Sequence, residues 1–138
     1  MPAPTRFNVR VYGLLIQEGK LLVNEELIRG KQIIKLPGGG LDLGEGIHNC
    51  LVREWKEELG LDIEVLQHFY TTDFYQHSAY DDSQVISIYY RVKATSLPII
   101  LTNHEANERT YWMPLSEVNE DTFTLPIDRV VGKMLMSV

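Results

Sequence analysis

The spacing of apolar positions predicts strands at the start of the chain. Residues 8–16 are rich in β-forming side chains and predict a first strand. Residues 18–20 form a turn signal and residues 21–24 begin a second strand, so the two predict a hairpin. Residues 25–31 mix charges with a glycine and predict a loop, and residues 32–36 predict a short strand that ends at a glycine-rich turn.

A four-residue period then predicts an amphipathic helix over residues 47–59. Val52 widens the apolar stripe, and Gly60 is the kind of residue at which helices commonly end. Cys50 lies within this helix and is expected to be a packed residue rather than a nucleophile. The stripe that we expect to face the core consists of Ile47, Leu51, Trp55 and Leu59.

Beyond this helix, β-rich stretches alternate with polar loops until a second helix closes the chain. The predicted strands are residues 62–75, 84–94 and 111–115, the loops are residues 77–83 and 104–110, and residues 115–118 form a helical turn. Residues 128–136 predict the closing helix, with Val130, Val131, Met134 and Leu135 inward. The order of elements predicts an α/β (α+β) fold with a central mixed sheet and helices on its faces, in one domain over residues 1–138.

Composition and charge narrow the possible classes of protein. The chain has 138 residues, 44% hydrophobic and 23% charged, which is typical of a soluble globular domain. Its net charge of −6 argues against a nucleic-acid backbone as partner, although a bound metal ion would still permit a nucleotide substrate. A single cysteine excludes an internal disulfide, and no apolar stretch approaches the ~20 residues of a membrane span. With no signal-peptide pattern in residues 1–6, we expect a cytoplasmic protein without membrane contact.

Three glutamates in the first predicted helix are the strongest candidates for chemistry. Glu54, Glu57 and Glu58 are spaced to lie on one helix face, within one turn. Their mutual repulsion makes sense if a cation offsets it, and oxygen ligands favour Mg²⁺ first and Mn²⁺ second. On its own, however, such a triplet is most often a solvated helix face.

The wider pattern of residues 39–61 resembles the Nudix box. Gly39 is followed after five residues by Glu45 and after seven more by Arg53-Glu54, and the remaining glutamates and Gly60 keep the expected spacing. At roughly 7% usage per residue type, seven such identities arise by chance at about 10⁻⁸ per starting position. The one mild departure is Trp55, in an apolar position that usually holds an aliphatic residue.

The flanking residues extend this resemblance to the whole domain. Residues 36–39 read Leu-Pro-Gly-Gly, the usual lead-in, and residues 112–115 are similar to a late strand of these proteins. The resemblance implies the Nudix fold, an α/β/α sandwich around a mixed sheet. It also implies hydrolysis of a pyrophosphate bond in a nucleoside diphosphate linked to another moiety.

The resemblance assigns metal ligands within the box. It implies that Glu54 and Glu58 are the leading ligands, that Glu57 is a third, and that the backbone carbonyl of Gly38 joins them. Glu54 could also serve as the base that deprotonates the attacking water. The expected cofactor is therefore Mg²⁺, with Mn²⁺ as the alternative.

Three further positions support this centre. Glu45 is expected to hold a metal-bound water or to pair with Arg53, and Arg53 to orient the acidic side chains. Members of the family often take one more carboxylate from a later loop. Glu105 and Glu108 are the candidates here, and we prefer Glu105, which lies further from the following strand.

Residues that choose the substrate are harder to identify. Arg29 and Lys35 precede the box and could touch phosphates, while Tyr75 and Tyr80 could stack on a base, although aromatic residues in strands more often lie in the core. The subfamily patterns for ADP-ribose, NADH and coenzyme A are absent, which favours a nucleoside triphosphate or nucleotide sugar. The alternatives are ADP-ribose or dinucleoside polyphosphate hydrolysis, or a non-catalytic nucleotide-sensing module. The resemblance also suggests a homodimer, which is frequent in the family.

Overall fold

Strands dominate the computed structural model, which describes residues 3–96, 99, 101 and 107–138. The described elements in chain order are β1 (Arg6–Gln17), β2 (Lys20–Ile28), β3 (Lys31–Lys35), β4 (Gly38–Gly40), α1 (Ile47–Leu59), β5 (Ile63–Thr71), β6 (Ser83–Ala94), β7 (Glu108–Pro114), a 3₁₀ turn (Leu115–Glu117) and α2 (Pro126–Leu135). Neither helix in these ranges is long and apolar enough to cross a membrane.

Strand β1 holds the sheet together. The strand path is β3-β2-β1-β6-β5, with β4 paired to β1 and β7 paired to β2. The β1–β6 pairing is parallel, whereas the other pairings are antiparallel. The prediction of a central mixed sheet is therefore confirmed.

The two helices pack on opposite faces of this sheet. Consecutive residues of β1 point to opposite sides, so Leu14 joins the cluster under α2 while Leu15 joins the cluster under α1. Trp55 of α1 and Val131 of α2 are completely buried in these two clusters. The result is the α/β/α sandwich that the family resemblance implies.

The predicted loop over residues 25–31 is wrong. Strand β2 continues to Ile28 and turns into β3 through Arg29 and Gly30, whose φ angles are 50° and 79°. Two successive positive φ angles are typical of the tight turn that matches strand twist. The charged side chains of β2 can lie in a central strand because residues on the neighbouring strands neutralise them. Glu26 pairs with Lys35, and Glu25 pairs with Arg109.

Helix α1 has the predicted bounds, and Gly60 ends it in the left-handed conformation with φ 66°. The predicted role of Val52 is wrong, because its side chain is 39% exposed. Cys50 occupies the buried flank instead, and burial raises the pKa of its thiol to about 12. This residue is packed rather than nucleophilic, as the sequence predicts.

Later elements differ from the predictions mainly at their ends. The long strand stops at Thr71 rather than at residue 75. Helix α2 begins two residues early, at Pro126, which is favoured in the first turn of a helix. Met134 is wrongly predicted as inward, since it is 37% exposed, and Val130 is only half-buried. The inward face consists of Ile127, Asp128, Val131, Gly132 and Leu135.

Candidate active site

The glycine turn brings backbone against the acidic helix. Strand β4 pairs with β1, placing Gly39 opposite Val11. A Cβ on Gly39 would lie 2.3 Å from the carboxylate of Glu54, so a side chain at position 39 would push this carboxylate out of its observed place. Trp55 fixes the helix to this turn, because its indole Nε1 donates to the Pro37 carbonyl at 3.1 Å. The departure from an aliphatic residue at position 55 thus adds a hydrogen bond to the packing.

Arg53 is the hub of the acidic side chains. Its Nε and Nη2 donate to the two carboxylate oxygens of Glu45 at 2.9 and 2.7 Å. Its Nη1 donates to Glu54 at 3.0 Å and to Glu57 at 3.2 Å, and Nη2 also reaches the carbonyl of Gly40 at 3.1 Å. The bidentate pairing lowers the pKa of Glu45 to about 2. Of the two expected roles of Glu45, the structure therefore displays the pairing with Arg53.

A second group of carboxylates lies beside this hub. Reduced hydration raises the pKa of Glu58 to about 7, and repulsion from Glu54 and Glu108 adds to the shift. Glu108 comes from β7, and its Oε1 accepts a hydrogen bond of 2.9 Å from Asn24 Nδ2. Asn24 is buried, and its own Oδ1 has no hydrogen-bond partner among the described residues. The structure therefore brings Glu54, Glu58 and Glu108 together, and Asn24 holds Glu108 by a hydrogen bond.

These carboxylates fit a hard divalent cation in their chemistry. Close oxygen donors that repel one another are stabilised by such an ion. As the side chains stand, no group of three acidic, histidine or cysteine residues in the described ranges is arranged to hold a metal. Glu57 is turned toward Arg53, and Gly38 lies in β4 paired with Tyr12. Glu105, the preferred extra carboxylate, lies outside the described residues.

A cavity of about 310 Å³ lies on the α2 side of the sheet, between β1, β3, β6 and residues 76–81. Among its lining residues, Asp128 is only 4% exposed and accepts a hydrogen bond from the Tyr89 hydroxyl. Burial raises the pKa of Asp128 to about 6. Tyr89 in turn stacks on Tyr12 with ring centroids 5.3 Å apart. The cavity thus combines aromatic walls with a buried carboxyl.

Sequence reasoning missed Arg10, which lines this cavity from β1. Its Nε donates to the Tyr12 hydroxyl at 2.6 Å. Burial opposes its charge, but Tyr12 and the nearby Glu54 and Glu58 together raise the pKa of the guanidinium. The sequence did contain a signal for a functional role of Arg10, namely a charged residue within the apolar run of residues 8–16.

The sequence-predicted substrate residues separate into two groups. Lys35 and Tyr80 line the cavity, and Lys35 forms a 2.7 Å ion pair with Glu26. Arg29 does not line it; its Nη2 donates to the Tyr80 carbonyl at 3.1 Å, so it braces the wall. Tyr75 is 60% exposed and also lies outside the lining.

Comparison with known proteins identifies the family. A family model described as the NUDIX domain matches residues 4–133, so the chain belongs to the NUDIX family. The chain is 34% identical over 128 residues to Nudix hydrolase 2 of Arabidopsis thaliana, covering 89% of this chain and 45% of that protein. It is 29% identical over 138 residues to Nucleoside diphosphate-linked moiety X motif 6 of Xenopus laevis, covering 99% of this chain and 63% of that protein. The chain thus spans 45% to 63% of the length of these two relatives.

Solved structures agree on the fold. The solution structure of the E. coli ORF135 protein superimposes with a TM-score of 0.76, covering 96% of this chain and 91% of that one. At 18% sequence identity, this similarity concerns the fold alone.

Proposed function

We propose that the chain is a metal-dependent hydrolase that cleaves a pyrophosphate bond in a nucleoside diphosphate linked to another moiety. The observation that carries this proposal is the cluster of Glu54, Glu58 and Glu108, held between Arg53 and Asn24. Membership of the NUDIX family supports the same reaction class.

Mg²⁺ is the proposed cofactor and Mn²⁺ the alternative. Glu54, Glu58 and Glu108 would hold it, with Glu57 and the Gly38 carbonyl as further ligands. When bound, the cation would withdraw charge from the phosphate oxygens and make a nearby water more acidic.

The chain's own residues then orient the reaction. Arg53 holds Glu54 by a hydrogen bond of 3.0 Å, which fixes this carboxylate close to Gly39. Glu54 accepts the proton of the attacking water while the water oxygen bonds to phosphorus. The bridging P–O bond breaks, and the leaving phosphate departs with the electron pair.

The cavity supports a nucleotide substrate whose nucleoside end enters beside Tyr80 and Asp128. Its volume of about 310 Å³ lies within the usual range of small-molecule sites. A nucleoside triphosphate or a nucleotide sugar is our leading substrate class, with ADP-ribose and dinucleoside polyphosphates as alternatives. Such a role suits a cytoplasmic enzyme, and light scattering would test the expected homodimer.

The decisive experiment is a hydrolysis screen of nucleoside triphosphates, nucleotide sugars, ADP-ribose and dinucleoside polyphosphates with Mg²⁺ or Mn²⁺. We expect turnover of at least one class, abolished in Glu54→Gln. Glu64→Gln is the matched control, because Glu64 lies on β5 and pairs on the surface with Lys93. Full turnover in Glu54→Gln would contradict the proposal. If nothing were cleaved but one nucleotide raised the melting temperature, the non-catalytic module would be favoured instead.

A further inference from the structure

Arg10 is placed between the two parts of the candidate site. Its side chain lines the cavity, and it also interacts electrostatically with Glu54 and Glu58. Nη1 lies 3.6 Å from where a Cβ of Gly40 would stand, so the guanidinium lies directly beside the glycine turn that precedes the acidic helix. A substrate with its diphosphate at the carboxylates and its nucleoside in the cavity must pass this residue.

The guanidinium of Arg10 interacts with Glu54 and Glu58 only from beyond ion-pair distance. No acidic side chain in the described ranges lies within ion-pair distance of Arg10, whereas its neighbour Lys35 is neutralised by Glu26. A half-buried charge is costly without a partner, and arginine cannot escape the cost by losing its proton. Tyr12 occupies Nε, which leaves the two terminal nitrogens for another acceptor.

We infer that Arg10 binds a phosphate group of the substrate through these terminal nitrogens. Arginine is suited to this task because its planar fork matches two phosphate oxygens at once. Tyr12 positions the fork by accepting the Nε hydrogen bond at 2.6 Å. The inference rests on the proposed function, because it needs a phosphate-bearing ligand in the same site.

Calorimetric titration with imidodiphosphate, a pyrophosphate analogue that resists hydrolysis, tests Arg10 without turnover. We expect Arg10→Gln to weaken binding at least about tenfold, the usual loss for a charge-assisted pair. Arg10→Lys should fall between Arg10→Gln and the unaltered chain, because a point charge keeps attraction but loses the fork. Arg6→Gln is the matched control: Arg6 lies on the same strand, is 58% exposed and pairs with Asp81.

The titrations are run once with Mg²⁺ and once with EDTA, so that the result does not depend on the proposed cofactor. Circular dichroism checks that each variant is folded, and Tyr12→Phe supplies a second variant that keeps the charge but releases Nε. We expect this variant to weaken binding less than Arg10→Gln. Equal binding by folded Arg10→Gln and the unaltered chain, or no binding by the unaltered chain in either buffer, would overturn the inference. If the unaltered chain cleaved no nucleotide in the screen but still bound imidodiphosphate more tightly than Arg10→Gln, only the proposed hydrolysis would be contradicted.

Discussion

The buried carboxyl of Asp128 should make the stability of this protein depend on pH. Its pKa is raised from the ordinary 3.8 to about 6, mainly because burial disfavours the charged form. A folded-state pKa above the unfolded value means that the neutral acid favours folding. This contribution is complete below about pH 4 and is lost as the pH rises through 6.

The size of the effect follows from the two pKa values. The difference between 3.8 and about 6 corresponds to about 3 kcal/mol at pH 8. That is a sizeable part of the about 5–15 kcal/mol that typically stabilises a domain. Replacing Asp128 with Asn removes the charge and keeps an oxygen that can accept the Tyr89 hydrogen bond.

Urea unfolding at a series of pH values measures this directly. We expect the stability of Asp128→Asn, relative to the unaltered chain, to rise by about 3 kcal/mol between pH 4 and pH 8. Asp121→Asn is the control, since Asp121 is exposed just before α2 and pairs with Arg129. Its difference from the unaltered chain should vary far less over the same interval. A stability difference for Asp128→Asn that stays constant with pH would refute the reasoning.

Two further predictions concern the helix and the carboxylate cluster. Leu51→Ala should lower the free energy of unfolding in urea by about 2–5 kcal/mol, because Leu51 is completely buried. Val52→Ala should lower it far less, because Val52 is exposed, and equal losses in the two variants would contradict the burial pattern. Asn24→Ala should lower Mg²⁺ affinity in calorimetry by releasing Glu108, and should have no further effect when combined with Glu108→Gln. Thr110→Val is the control, because the hydrogen bond between Thr110 and Asn24 is longer, at 3.4 Å. If the losses of Mg²⁺ affinity in Asn24→Ala and Glu108→Gln added up in the double variant, Asn24 would not act through Glu108.

The sequence predicted those structural features that depend only on residues close to one another along the chain. Helix α1 was predicted with its bounds because its apolar period and Gly60 both lie within the segment itself. The spacing of Glu54, Glu57 and Glu58 likewise follows from helix geometry. These features need no knowledge of distant strands.

Features that depend on distant partners were missed. The strand through Glu25 and Glu26 was predicted as a loop, because Arg109, which neutralises Glu25, comes from β7. Asp128 was predicted only as a helix start, since its burial depends on Tyr89 of β6. The preference for Glu105 over Glu108 stays a prediction, since Glu105 lies outside the described residues; the hydrogen bond that Asn24 of β2 gives to Glu108, near Glu58, is a contact that local sequence does not indicate.

The parallel pairing of β1 with β6 has a consequence for how the site forms. Arg10 lies opposite Ser87, and Tyr12 lies opposite Tyr89, so the cavity wall joins residues from early and late in the chain. Contacts between residues so far apart in sequence require the closure of a long loop, and such contacts form slowly. During synthesis, residues 47–59 therefore emerge before β6, and this short helix with its repelling glutamates becomes stable only as it packs on the sheet. Glu54, Glu57 and Glu58 would then be synthesised before the part of the cavity wall that β6 supplies.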